Sequence, residues 1–276
     1  VYSDIIQFFV MCSGVAIVFF LSISNFGGIE FLKTNLPSSY FNVTGTNSMA
    51  TTFIWGLIAL STLVDPNFYQ RCFAANTPRT AKKGILISTL IWALFDICTT
   101  FGAMYARAVI PEAEAKTAYL TYAIQLLPEG LRGLFLAAIL ATILSTLDSY
   151  LFLSGITIGH DLAPRKWQNK KFLPIIGTVS SGVIAYIMAI YFKGDIKVVW
   201  KTLGSYSAAC LLLPVILGHL IKRKIKDLQF VTTCLAGVVT TSWWRNISHS
   251  SFWKNVDEIY IGSLTTLIFY LFFTFI

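Results

Sequence analysis

Charge is scarce in this chain: Asp, Glu, Lys and Arg make up 12% of its 276 residues, against about 25% in soluble domains. A water-soluble fold could not cover its surface with so few charges while 55% of its residues are hydrophobic and the mean hydropathy is +0.68. The shortage excludes a soluble enzyme, a disordered chain and a nucleic-acid-binding domain as first readings. Cysteine occurs without pairing patterns. Cys12, Cys72, Cys98, Cys210 and Cys234 form neither CxxC pairs nor a metal-ligand spacing, and inside apolar runs a free thiol behaves as a small hydrophobe. No disulfide framework or metal cluster is expected beyond what oxygen ligands provide. Low-complexity segments, phosphate-binding loops and nucleophile–base arrangements are also missing. The opening Val1-Tyr2-Ser3 has no initiator Met and no basic n-region, so no signal peptide is expected and the chain is expected to start within something longer.

What the chain has instead is long apolar runs. Crossing about 30 Å of hydrocarbon takes about 20 helical residues. Eight runs meet this requirement: Ile5–Ser24, Met49–Phe68, Gly84–Tyr105, Gly133–Ile158, Phe172–Phe192, Thr202–Ile221, Leu228–Trp244 and Ile259–Ile276. They are continuously apolar rather than alternating, which excludes a strand-built barrel. The sequence therefore predicts an all-α integral membrane protein with about eight transmembrane helices, and the lipid bilayer as its solvent.

Loop charges predict the orientation. Twelve of the 21 basic residues fall in one set of loops, around Arg71–Lys83, Arg165–Lys171 and Lys222–Lys226. The other nine are Lys33, Arg107, Lys116, Arg132, Lys193, Lys197, Lys201, Arg245 and Lys254. The richer set is expected on the cytoplasmic side, with both chain ends inside. The net charge of +8 is then mostly this bias and not a binding face. Trp200, Trp243, Trp244 and Trp253 at the outer boundary and Trp167 near the inner one fit an aromatic belt. Trp55 and Trp92 lie within spans.

The most informative stretch is LRGLFLAAILATILSTLDSY, residues 131–150. At about 100° per residue, Thr142, Ser145, Thr146 and Ser149 share one helical face. Two readings stand side by side. Each hydroxyl can bond back to the carbonyl one turn earlier, or the hydroxyls and freed carbonyls can hold a hard cation.

This helix, followed by Gly159-His160-Asp161, closely resembles a signature helix of the sodium:solute symporter family. The segment VDPNFYQRCFAA (64–75) with the basic Arg79–Lys83, and Tyr2-Ser3-Asp4 with Gln7, resemble two further landmarks of that family, in order and at its spacing. The resemblance covers essentially the whole chain and weakens after about Pro214. It implies the second half of a leucine-transporter-type inverted-repeat fold, within one membrane domain over residues 1–276. The fifth core helix would lie at about 5–24, the second inverted repeat at about 49–221 and peripheral helices at about 228–276. It implies sodium bound by the hydroxyls of Ser145 and Thr146 and the carbonyl of Thr142; relatives often have Ala where Thr142 stands. The implied partners are a small-molecule solute, Na+ and N-terminal helices of the same protein that this chain lacks. The implied location is a bacterial inner (plasma) membrane.

Pro66 cannot donate a backbone hydrogen bond, so the second span is expected to unwind near Ser61 and Thr62 or to end at the boundary. By family position Trp55, Ile58, Ser61 and Thr62 would line the solute cavity. Ile58 and Ser61 stand where sugar-carrying relatives have Asn and Tyr, which argues against a sugar. Asp96 and Asp148, the acids well inside spans, are candidates for a coupling role, because an unpaired carboxylate there costs at least about 2.5–3.5 kcal/mol. His160, His219 and His249 sit singly near boundaries. The function expected is sodium-coupled symport of a small polar organic solute by alternating access. A non-transporting sensor or structural module, or an inactive truncation product, is the alternative.

Overall fold

The computed structural model describes residues 2–164, 166, 170–221, 225–248, 253 and 256–275. Arg165, Trp167, Lys222, Arg223, Lys224, His249 and Lys254, which entered the charge, belt and histidine readings, lie outside them. The described residues form helices and turns with no strand, because each apolar run can satisfy its backbone only internally when lipid offers no hydrogen bonds. Seven helical segments are long and apolar enough to cross a membrane: Tyr2–Phe26, Met49–Phe73, Pro78–Val109, Glu129–Asp161, Phe172–Tyr191, Ile196–Leu220 and Glu258–Phe275. The protein is a multi-pass integral membrane protein. The predicted Leu228–Trp244 span is helical, over Asp227–Asn246, but its run of Thr and Ser makes it too polar to join those seven.

The chain divides into two compact units, Val1–Gly45 with Cys72–Ser181 and Thr46–Arg71 with Gly182–Ile276. In the first, α1 (Tyr2–Phe26) lies along α7 (Glu129–Ile156), with α2 (Ile29–Asn35), α5 (Pro78–Val109) and α6 (Ala118–Leu126) at one end. Gly14 lets α1 and α7 approach closely, since a Cβ there would stand 2.4 Å from the Ala138 Cβ. The core gathers Val18, Leu32, Tyr105, Tyr122, Leu127 and Phe135. Its two fully buried phenols are hydrogen-bonded: Tyr105 donates to the Gly27 carbonyl and Tyr122 to Ser22 Oγ at 2.7 Å. Tyr119 packs edge-on to Phe135, but its buried hydroxyl has no partner among the described residues. Burial therefore pushes its phenol above the ordinary range. The unit also holds the start of α8 (Phe172–Tyr191).

In the second unit, α3 (Met49–Leu60) packs against α9 (Ile196–Ser207). A π turn, Ala208–Leu212, joins α9 to α10 (Leu213–Leu220). Five residues after Ala209 stands Pro214, which brings no N–H for a π-type bond. The Ala209 carbonyl instead accepts the hydroxyl of Thr266, at 3.1 Å, from α12 (Glu258–Phe275). Helices α11 (Asp227–Asn246) and α12 meet along buried small residues four apart, Thr233, Gly237 and Thr241 facing Gly262 and Thr266, which is how membrane helices come close. A Cβ on Gly262 would lie 2.1 Å from Thr241 Oγ1.

Candidate functional site

The hydroxyl face lies on α7, which runs unbroken from Glu129 to Ile156 and ends in a π turn, Thr157–Asp161. Three of its four hydroxyls bond back one turn: Thr142 to the Ala138 carbonyl at 2.9 Å, Thr146 to the Thr142 carbonyl at 2.9 Å and Ser149 to the Ser145 carbonyl at 3.0 Å. The hydroxyl of Ser145 has no partner among the described residues. Thr142 and Ser145 are half-buried, and Thr146 is exposed. Back-bonding does not spend a hydroxyl's acceptor capacity, because donating the hydrogen leaves both of the oxygen's lone pairs available. Thr146 Oγ1 and Ser145 Oγ can therefore face a cation together. The Thr142 carbonyl already takes a hydroxyl, so it would share its oxygen.

The second span is discontinuous. Helix α3 stops at Leu60, a 3-10 turn covers Ser61–Val64, Asp65 is extended, and α4 (Pro66–Phe73) begins at the proline. Asp65 caps the new helix, its carboxylate accepting the Asn67 N–H at 2.8 Å, while Pro66 takes the first helical position, where no N–H is needed. Ser61 donates to the Ile58 carbonyl at 2.6 Å, and Thr62 is half-buried in the 3-10 turn. Ile58 is 2% exposed and fills the space beside Gly204, where a Cβ would meet its Cγ2 at 2.5 Å. Its side chain thus packs α3 onto α9 in this structure. Trp55, one turn earlier, is half-buried and lines a groove of about 350 Å³ with Lys197, Lys201, Thr202, Arg245 and Glu258.

Asp96, on α5, and Asp148, on α7, are exposed, with no side-chain partner among the described residues. The stretch of α5 most suited to cross a membrane has none of its residues buried within the chain. His160 lies 3.2 Å from Asp161, and His219 Nδ1 lies 2.8 Å from the Val215 carbonyl. Among the described residues no three His, Cys, Asp or Glu side chains cluster as a metal site. Sequence reasoning missed the groove, whose lining comes from four separate helices. It also missed the Thr233–Gly237–Thr241 stripe, although small residues at four-residue spacing are a readable signal.

Similarity to known proteins agrees with these features. The sodium/pantothenate symporter of Escherichia coli is 26% identical, the match covering 79% of this chain and 48% of that protein. That of Haemophilus influenzae is 25% identical over the same shares. The rat sodium/myo-inositol cotransporter 2 is 23% identical, covering 81% of this chain and 41% of that protein. The chain thus spans about half the length of the curated relatives it matches. Residues 1–227 match the profile of the sodium:solute symporter family, and with its hydroxyl-faced α7 and broken second span this chain belongs to that family.

Proposed function

We propose that this chain is part of a transporter that couples movement of a small polar organic solute to that of sodium by alternating access. The observation that carries the reading is the hydroxyl face of α7. Thr146 keeps its lone pairs free by donating to the Thr142 carbonyl at 2.9 Å, and Ser145 next to it has no competing partner among the described residues. Sodium is a hard cation that prefers oxygen ligands. Two hydroxyls and the Thr142 carbonyl make half a coordination shell, and the remaining oxygens come from helices of the protein outside this chain. The break at Ser61–Asp65 leaves backbone groups and the Thr62 hydroxyl for a solute, with Trp55 one side of the path. Relatives named for pantothenate and for myo-inositol support a small polar solute. Sodium bridging two helices favours the outward-open state, so its gradient drives import. Both chain ends lie in the cytoplasm of a bacterium, and the carrier sits in its inner membrane. Asp96 and Asp148 meet groups in the rest of the transporter and contribute to coupling.

The test is uptake by proteoliposomes containing the protein in the length the cell makes. Labelled pantothenate and myo-inositol are offered under an inward sodium gradient. Accumulation of either one that stops when potassium replaces sodium is the expected result. Accumulation that proceeds equally in potassium overturns the reading.

A further inference from the structure

We propose that the cavity at the end of the second unit where α10 gives way to α11 binds the phosphoethanolamine headgroup of a membrane phospholipid. The cavity has a volume of about 370 Å³, and its polar lining is His219, Asp227 and Tyr270. Tyr270 is 1% exposed. Its hydroxyl lies 3.6 Å from where a Cβ on Gly218 would stand, and Gly218 lines the cavity too. That hydroxyl has no partner among the described residues. A buried hydroxyl is costly to leave in that state, and a group bound beside it would supply the bond. The carboxylate of Asp227, exposed on the first turn of α11, also has no partner among the described residues. His219 Nδ1 lies 2.8 Å from the Val215 carbonyl. A carbonyl only accepts, so Nδ1 carries the hydrogen, and Nε2 across the ring is left as an acceptor in the neutral imidazole. A carboxylate, a phenol oxygen and a ring nitrogen thus line one space and match the three N–H donors of a primary ammonium. Phe230 adds an aromatic face for the cation.

The charges around the cavity require a negative group on the same ligand. Lys226 stands next to Asp227, and Lys222, Arg223 and Lys224, outside the described residues, precede it in the chain. Helix α10 carries no charged residue besides His219, α12 none after Glu258 at its far end, and α11 none between Asp227 and Arg245 in its last turn. A basic linker beside one carboxylate repels a simple cation, whereas a simple anion meets Asp227. A zwitterion satisfies both. The place for its phosphate is the N-terminus of α11, a helix of 20 residues whose first-turn amides have no acceptor within the helix. Its N-cap is Lys226, whose side chain offers no acceptor either, while the Lys226 N–H is fixed by Gln229 Oε1 at 2.8 Å. Uncapped amides and the helix dipole attract a phosphate oxygen. Val215, Ile225 and Phe230 leave an apolar wall for the glycerol and first acyl carbons. The site involves neither solute nor sodium, so it goes beyond the transport reading and survives that reading's failure.

The test is native mass spectrometry of the purified protein, in the length the cell makes. It is titrated with phosphatidylethanolamine, the mono-, di- and trimethylated forms of that lipid, and phosphatidylglycerol, all with the same acyl chains. Phosphatidylethanolamine binds about tenfold more tightly than phosphatidylglycerol or the trimethylated phosphatidylcholine, and affinity falls as each N–H is lost. Asp227→Asn and Tyr270→Phe each remove about tenfold of the affinity for phosphatidylethanolamine, and Tyr270→Phe leaves phosphatidylcholine binding unchanged. Tyr270→Phe does not lower the unfolding temperature of the lipid-free protein, which separates lost recognition from lost folding. A lowered temperature overturns the proposal, since the hydroxyl would then have a partner within the protein. Equal binding of all the lipids, a preference for phosphatidylglycerol, or folded Asp227→Asn protein that discriminates normally also overturns it. O-Phosphoethanolamine, the free headgroup, displaces the lipid only at concentrations at least about tenfold higher, because it lacks the carbons that meet Ile225 and Phe230. Displacement at equal concentration overturns the lipid as occupant and assigns the cavity to a soluble phosphate ester.

Discussion

Replacing Thr266 with Val probes how α12 holds the π turn of the neighbouring helix. Thr266 is fully buried, and Val keeps its shape while removing the hydroxyl. The Ala209 carbonyl would then lose the donor 3.1 Å away, with Pro214 unable to supply one from its own helix. Interhelical hydrogen bonds in membranes contribute about 0.6 kcal/mol on average and up to about 1.7. The Thr266 hydroxyl also lies 3.0 Å from the Ser263 carbonyl, so part of its bonding is local, and a cost of about 1 kcal/mol is expected for Thr266→Val. Pro214→Ala restores an N–H five residues after Ala209. In that background Thr266→Val should cost only a few tenths of a kcal/mol, giving a coupling of about 0.7 kcal/mol in the double-mutant cycle. The assay is reversible unfolding of the purified chain in mixed micelles, followed by circular dichroism. Equal costs in the two backgrounds, within the additivity error of about 0.3–0.5 kcal/mol, would mean that the Ala209 carbonyl does not depend on the Thr266 hydroxyl.

Two further outcomes follow from packing and burial in the first unit. Gly14→Leu drives side-chain atoms into Ala138, 2.4 Å from where the first carbon would lie; it should destabilise by about 1–3 kcal/mol or more, with Ala138→Gly restoring part, in the same unfolding assay. Tyr119→Phe should cost nothing at neutral pH, because the buried hydroxyl it removes has no partner among the described residues. The folded chain holds the Tyr119 proton above its ordinary range while the unfolded chain releases it near pH 10. Stability is thus lost as the pH rises past about 10, and unfolding measured on either side of that pH should show a smaller alkaline loss in Tyr119→Phe.

The spans were legible because hydrocarbon demands long apolar runs, and the helix containing Ser145 declared its polar face through simple 3.6-residue periodicity. Helix α11 marks the limit of that signal. Its Thr232, Thr233 and Thr240 lower its hydropathy, yet each hydroxyl bonds a carbonyl three or four residues back, so a helix forms where composition alone argued weakly for a span. The short α2 and α6 escaped notice because helices of seven and nine residues fall far below the length that crosses a bilayer. Pro66 announced a break but not its form; the 3-10 turn and the Asp65 cap depend on local bonds that hydropathy does not register. Ile58 shows the same limit at the site, since its burial against Gly204 depends on a residue nearly 150 positions later. The groove was illegible for that reason too: Trp55, Lys201 and Arg245 converge only after α3, α9 and α11 have packed.

Sodium coordination by the hydroxyl face of α7 is the proposal on which the transport reading rests. It is tested most directly by titrating sodium against solute uptake for the protein in its cellular length, with Ser145→Ala and Thr146→Ala beside the parent. Each variant should still fold but need about tenfold more sodium, or beyond, for half-maximal uptake, because a ligand to a cation is lost. Half-maximal sodium unchanged in both variants would contradict it.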